Sequence, residues 1–419
     1  MEVEDVAKIY PMLPVEEAQA RVLSRIHRLE REEVRILDAL GRVAAEDVTA
    51  DYDIPPHTNT AMDGYAVRTE DTAGASPENP VRLQVIGELA AGYVAEKELA
   101  PGTAIRIMTG APIPPGADAI VRFEQTRQDG AYVEILTEVT IGKEVRPAGE
   151  DVRSGDTVIS QGRILRPQEI GMLAALGKKT IVVTRRPRVG ILATGDELVG
   201  IDEPLSPGKI RNSNTYSNAA QVKKYGGIPV LLGIARDREG EISDSLRAGL
   251  TKGMDLILVS GGVSVGDFDV VKKVLAGAGE IDFWQVRMKP GKPLAFGYLN
   301  LGGKDVPVIG TPGNPVSTMI SFELFARPLI LSLLGARDID PFVVWARLAD
   351  RIAQTSSRRH YARVRLEEKA GEYLAYLTGD QGSGILSSMV NADGLAVIPE
   401  DWDNAEAGAL VRVIPFGGT

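Results

Sequence analysis

The spacing of apolar positions changes several times along this chain, and each change predicts a different architecture. In residues 14–30, Val15, Ala18, Val22 and Ile26 recur three and four apart, the spacing of a helix with one buried face. Ile36, Leu40 and Val43 continue it for a further short turn. Between Tyr52 and Asp151 the pattern becomes short alternating runs: Val81–Ile86, Thr103–Met108, Ala119–Phe123 and Tyr132–Leu136. Gly and Pro turns separate them, which predicts a small β-rich domain. Helical spacing returns around Arg166–Leu176 and ends at Gly177.

From Arg188 to Gly335, strand and helix patterns alternate. Strands are expected at Val189–Ala193, Ile228–Leu232, Asp255–Ser260 and Pro307–Gly310. Helices are expected at Thr215–Tyr225, Gly240–Leu250, Val270–Leu275 and Val316–Leu334. Such alternation predicts a parallel sheet with helices on both faces. After Asp338 the chain reads as strands again, at Phe342–Leu348, His360–Leu366, Tyr373–Leu377, Leu395–Ile398 and Leu410–Ile414. No internal repeat or low-complexity segment interrupts the pattern.

In open α/β sheets, ligands sit where strand ends run into helix N-termini. Three glycine-containing loops fall at such places: Ala193-Thr-Gly-Asp-Glu-Leu198, Ser260-Gly-Gly-Val-Ser-Val-Gly-Asp267 and Gly310-Thr-Pro-Gly-Asn-Pro315. Gly195, Ser260, Gly261, Gly262, Ser264, Pro312, Gly313, Asn314 and Pro315 are therefore candidate binding residues, because glycine lets backbone N–H groups close on an anion. Lys289-Pro-Gly-Lys-Pro293 adds two cations, Lys289 and Lys292, on a stiff turn. For one such loop an ordinary tight turn is the simpler reading; three on one sheet edge beside paired lysines favour a binding site. Carboxylates recur in the same loops: Asp196, Glu197, Asp237, Asp267 and Asp269. A phosphate among unpaired carboxylates would be repelled, and a magnesium ion between them removes the conflict. Helix caps and salt bridges to Arg236 or Arg287 are the plainer alternative for each.

Three turn-like motifs lie outside that sheet: Asn59-Thr-Ala-Met-Asp-Gly-Tyr65, Met108-Thr-Gly-Ala-Pro112 and Arg146-Pro-Ala-Gly-Glu-Asp151. Each carries one polar candidate, Asp63, Thr109 and Asp151. Gly262-Val-Ser-Val-Gly266 matches the serine-hydrolase elbow, yet the chain has three histidines and none is obviously paired with Ser264. Neither a Walker P-loop nor a G-x-G-x-x-G is present.

Length and charge narrow the classes further. With 419 residues the chain needs two to four domains. A formal net charge of -10 repels nucleic acid, so no nucleic-acid partner is expected. The absence of cysteine removes disulfides, thiolate metal sites and cysteine nucleophiles. The acidic opening MEVEDVAKIY is unlike a signal peptide, and no apolar run reads as a membrane span of ~18 residues. A soluble, cytoplasmic protein is the expectation.

Taken together, NTAMDGYAV, RIMTGAP, RPAGED, ILATGDEL, SGGVSVGDFD, MKPGKP and GTPGNPVS resemble the molybdopterin molybdenumtransferase family, MoeA, which includes the gephyrin E domain. The motifs are co-linear with the family and span nearly the whole chain. The resemblance implies an elongated multi-domain subunit, α/β plus β in class. It has a discontinuous helical or mixed linker domain (1–51 and 152–180), a β-rich domain (52–151), a parallel α/β molybdopterin-binding domain (181–336) and a C-terminal β-barrel-like domain (337–419). It implies Mg²⁺-dependent insertion of molybdate into adenylylated molybdopterin, giving Mo-molybdopterin and AMP. It also implies a homodimer whose active cleft lies between the α/β domain of one subunit and the first β domain of the other. By motif, Asp63, Thr109, Asp151, Glu197, Asp237, Asp269 and Lys289 fall on positions the family uses, and Pro312 and Pro315 on its structural turn. Glu197, Asp237 and Asp269 are the expected metal ligands; Asp63, Thr109, Asp151 and Glu197 the expected catalytic groups. Gln285 departs from the lysine many members carry, and Arg287 or Lys292 is the expected replacement for its charge. Tungstate is the alternative oxyanion, and the pathway's adenylyltransferase is a further expected contact. The competing classes are a molybdopterin adenylyltransferase and a non-catalytic scaffold of the gephyrin type.

Overall fold

The computed structural model describes residues 12–261, 274, 279–301, 304–353 and 356–417. They fall into two compact units, the smaller of Glu46–Ser160 and Pro167–Lys179, the larger of the other described residues.

In the larger unit the apolar run at Arg188–Thr194 is buried from Val189 onward, and Leu256–Ser260 is buried throughout. Strands covered on both faces have no polar side to show, which is why they read as continuous apolar runs. They pair in parallel with each other, with Ile228–Ala235 and with Lys304–Thr311. Val15, Ala18 and Val22 of the helix Val15–Leu23 join Val189, Ile191 and the long helix Pro315–Leu334 in one cluster. Ile242 and Leu246 of the helix Glu239–Thr251 pack with Leu192, Ile257 and Val259 in another. Apolar clusters thus occupy both faces of the sheet.

The parallel strands do not form the whole sheet. Gly279–Val286 and Pro293–Leu301 extend it as antiparallel neighbours, and Met12–Leu13 adds at the outer edge, giving seven strands among the described residues. The first helix ends at Leu23, earlier than its apolar spacing predicts. Arg31–Arg35 is a strand paired with Thr180–Thr184, although its sequence, REEVR, is almost wholly exposed and polar. The turn expected around Ile36 is the 3₁₀ segment Ile36–Ala39. Of the helix expected over Val270–Leu275, only Val274 is among the described residues, and it is helical.

The helix from Pro315 begins with proline at its first turn, where the missing N–H costs nothing. It passes through a π-helical stretch at Phe322–Ala326 and stops at Gly335, in the left-handed region at φ +69°. Among the described residues it is the one helix long and apolar enough to cross a bilayer, a possibility the sequence reading missed; its near-complete burial makes it the core helix of the unit. Beyond it, Val344–Leu348, Glu372–Leu377, Arg359–Lys369, Gly394–Ile398 and Leu410–Pro415 pair in a closed ring, the C-terminal barrel. Met288–Lys289 pairs with Arg359–His360 and so attaches to the barrel's sheet.

The smaller unit holds the expected strands as Val81–Leu89, Thr103–Ile107, Ala119–Arg122 and Tyr132–Ile135, with Gly64–Val67 and Thr126–Asp129 completing a sheet. Its helix Pro167–Ala175 matches the expected position.

Candidate functional site

The strand Arg188–Thr194 runs into Gly195 at φ +149°, and the next three residues turn back, the Leu198 N–H donating to the Gly195 carbonyl. A Cβ on Gly195 would lie 2.5 Å from Oε2 of Glu197. Glycine suits the positive φ there, and the carboxylate folds over its open face. Asp237 follows the strand Ile228–Ala235, and its Oδ2 accepts the Asp196 N–H at 3.3 Å. Glu197 and Asp237 are thus gathered at adjacent strand ends. Their expected companion Asp269 lies outside the described residues, as do Gly262, Ser264 and Asp267. Among the described residues no three acidic or histidine side chains cluster in a metal-holding group.

The other two loops close on the same edge. Gly261 sits at φ +96° with room for no side chain, since a Cβ would come 2.3 Å from the Thr194 carbonyl. Its N–H donates to the Thr311 carbonyl at 3.1 Å. The hydroxyls of Ser260 and Thr194 are buried there without a partner. Gly313 faces Gly261, and its carbonyl accepts the Asn214 amide at 2.7 Å. Pro312 is buried beneath, its carbonyl taking the Thr318 hydroxyl, and Asn314 donates to the Ser383 hydroxyl at 3.0 Å before Pro315 opens the helix.

Lys289 and Lys292 stand half-buried on their turn, which the Val286 N–H closes by donating to the Lys292 carbonyl at 2.7 Å. Lys289 pairs in register with His360. Gln285 lies within its strand, opposite Pro293 and Met12.

Two residues that the sequence reading did not assign to an anion site, His360 having been weighed only as a partner for Ser264, stand near Lys289. Arg363 is fully buried, yet its hydrogen bonds go to neutral oxygens: the Ser388 hydroxyl at 3.0 Å and the Gly382 and Asp380 carbonyls. One of its terminal nitrogens has no partner. His360 is 2% exposed with both ring nitrogens unpartnered. Burial first, then the charges of Lys289, Arg363 and Arg358, push its pKa down to about 4. The run His360-Tyr-Ala-Arg-Val364 is buried at every position, and two basic groups inside such a run were the available signal.

In the smaller unit, Asp63 and Thr109 are in direct contact. One Asp63 oxygen accepts both the Thr109 N–H and its hydroxyl, each at 2.7 Å, and these bonds hold the carboxyl below its ordinary range. Gly64 is required beside it, because a Cβ would lie 2.1 Å from the Val121 carbonyl. Asp151 is exposed, with its N–H on the Ile54 carbonyl.

Glycine loops and carboxylates at the carboxyl edge of an α/β sheet, with a buried arginine and a half-buried lysine turn in the same unit, are the features of a protein that holds anionic small molecules. Residues 13–177 match the MoeA N-terminal region (domain I and II), 190–332 the family described as “Probable molybdopterin binding domain”, and 345–416 the MoeA C-terminal region (domain IV). The chain is 35% identical over 407 residues to the molybdopterin molybdenumtransferase of Bacillus subtilis, covering 96% of this chain and 94% of that one. It is 38% identical over 408 residues to molybdopterin molybdenumtransferase 2 of Mycobacterium tuberculosis, covering 96% and 99%. The crystal structure of the molybdopterin biosynthesis moeA protein from Pyrococcus horikoshii OT3 superposes with a TM-score of 0.84 at 35% identity, covering 97% and 100%. The chain belongs to the molybdopterin molybdenumtransferase family, MoeA.

Proposed function

We propose that this chain inserts molybdenum into molybdopterin, taking adenylylated molybdopterin and molybdate and releasing AMP. The observation that carries the reading is the buried Arg363, with buried His360 and half-buried Lys289 near it, in a chain of net charge -10. A buried guanidinium that reaches only neutral oxygens is costly unless an anion completes it. Asp380 lends opposite charge only at longer range, its carboxylate being turned to the Gly382 N–H. A tetrahedral oxyanion such as molybdate, or tungstate, would complete the unpartnered guanidinium nitrogen of Arg363, with the charge of Lys289 close enough to be felt at His360. Gly195, Gly261 and Gly313 would let the pterin phosphate come close to the strand ends, the Gly195 and Gly261 N–H groups themselves being taken by the Ala235 and Thr311 carbonyls.

Glu197 and Asp237 present hard oxygen donors, the ligand type Mg²⁺ prefers, with Asp269 as the third. Mg²⁺ held there would offset the charge of the adenylate phosphate as AMP leaves. The protein's own contribution is to hold two anions at reacting distance, turning a bimolecular encounter into a near-unimolecular step. No protein nucleophile is needed. Asp63, with its second oxygen not engaged by Thr109, is assigned to the same cleft from the partner of a homodimer.

Purified protein supplied with adenylylated molybdopterin, molybdate and Mg²⁺ should release AMP, and Glu197→Gln should slow that release by at least about tenfold. AMP release at an unchanged rate in the variant would remove Glu197 from the mechanism. Consumption of ATP with unadenylylated molybdopterin would instead make the chain an adenylyltransferase.

A further inference from the structure

The segment Gly195–Leu198 is a β-turn, and its central peptide joins Asp196 to Glu197. In such turns the central peptide is the part free to rotate, because the closing hydrogen bond leaves its carbonyl unengaged. Here two cations from separate segments meet on that one oxygen. Lys209, just ahead of the short strand Ile210–Arg211, donates its ammonium to the Asp196 carbonyl. Arg236, at the end of Ile228–Ala235, donates to the same carbonyl at 3.1 Å and to the Leu198 carbonyl at 3.0 Å. The Ile210 N–H takes the carbonyl of Glu197 itself at 2.9 Å. Both peptides flanking Glu197 are therefore held from outside the turn. The Glu197 carboxylate lies over the open face of Gly195, so the orientation of these two peptides sets where it is carried.

Two half-buried charged donors on one neutral carbonyl exceed what closing a surface turn requires. We propose that Lys209 and Arg236 are positioning residues that hold the Asp196–Glu197 peptide in one orientation and so set the Glu197 carboxylate, beside Asp237, for a divalent cation. The inference rests on the metal assignment of Glu197 made above. Arg236 reaches both carbonyls from one terminal nitrogen, Nη1, held in place by a planar guanidinium whose length and geometry a lysine does not reproduce. Lys209 needs to reach only one.

The test is Mn²⁺ binding to the full chain, followed by electron paramagnetic resonance of the free ion, with thermal unfolding in parallel. Glu197→Gln, Arg236→Ala and Lys209→Ala should each weaken Mn²⁺ binding by about tenfold or more. Lys209→Arg should restore most of the affinity and Arg236→Lys little of it, a split that a general loss of packing would not produce. Should Arg236→Ala fail to fold, Arg236→Lys gives the same reading on a folded chain. If Glu197→Gln binds Mn²⁺ like the wild type, the metal assignment fails and the inference with it. If Glu197→Gln loses the ion while the Lys209 and Arg236 variants keep it, the positioning role alone is overturned.

Discussion

His360 is the residue whose environment most changes its chemistry. Its folded pKa of about 4 lies below the ordinary 6.5, so the folded protein binds fewer protons than the unfolded chain between those values. The stability this group contributes is complete above about pH 6.5 and is lost as pH falls toward 4. At roughly 1.4 kcal/mol per pH unit, the full loss is about 3 kcal/mol. Denaturant unfolding of the wild type at pH 7, 6, 5 and 4.5 should show that slope, and His360→Gln should flatten it. Equal acid slopes in the two proteins would mean the imidazole is not held neutral by its surroundings. The same cause makes it useful: Lys289, Arg363 and Arg358 disfavour its protonation until an anion arrives, and a bound oxyanion would raise its pKa again.

Among the elements, the strands with one dominant pattern were the legible ones. Arg188–Thr194 and Leu256–Ser260 are apolar because both faces are covered, and the barrel strands sit close to the ranges their patterns predict. Arg31–Arg35 was illegible because its side chains face water and its pairing with Thr180–Thr184 rests on the backbone. The antiparallel pair Gly279–Val286 and Pro293–Leu301 was missed because the motif read there was the lysine turn between them. Among the candidate site residues, the loops were visible from their glycines, while Arg363 hid in a strand whose alternation fails. The start of Leu256–Ser260 depends on Asp255, buried and held by Arg185 through two bonds of 2.7 and 2.8 Å and by the Arg188 N–H at 2.9 Å. Asp255→Asn removes the charge that these donors share and leaves Arg185 with Glu30 at its edge. A loss of about 2–3 kcal/mol is expected, read as a lower denaturation midpoint. A midpoint unchanged from the wild type would show that the strand start is held by packing alone.

At the scale of the whole molecule, the candidate residues divide between the two compact units: Asp63, Thr109 and Asp151 in one, Glu197, Asp237 and Lys289 in the other. If a homodimer builds each cleft from two chains, Asp63→Asn and Glu197→Gln are each strongly impaired but complementary. Mixing the two variants through a cycle of dissociation and reassembly leaves half the dimers heterogeneous, each with one intact cleft. About a quarter of wild-type AMP release should return. No recovery would place all these residues in a single chain's cleft. A further consequence follows from Met288–Lys289 pairing with Arg359–His360. Backbone bonds, rather than a tether, hold the lysine turn to the barrel wall, so the barrel cannot swing away without unzipping the rungs that bring Lys289 to His360. Stiffness at that seam is therefore inseparable from the charge arrangement it carries.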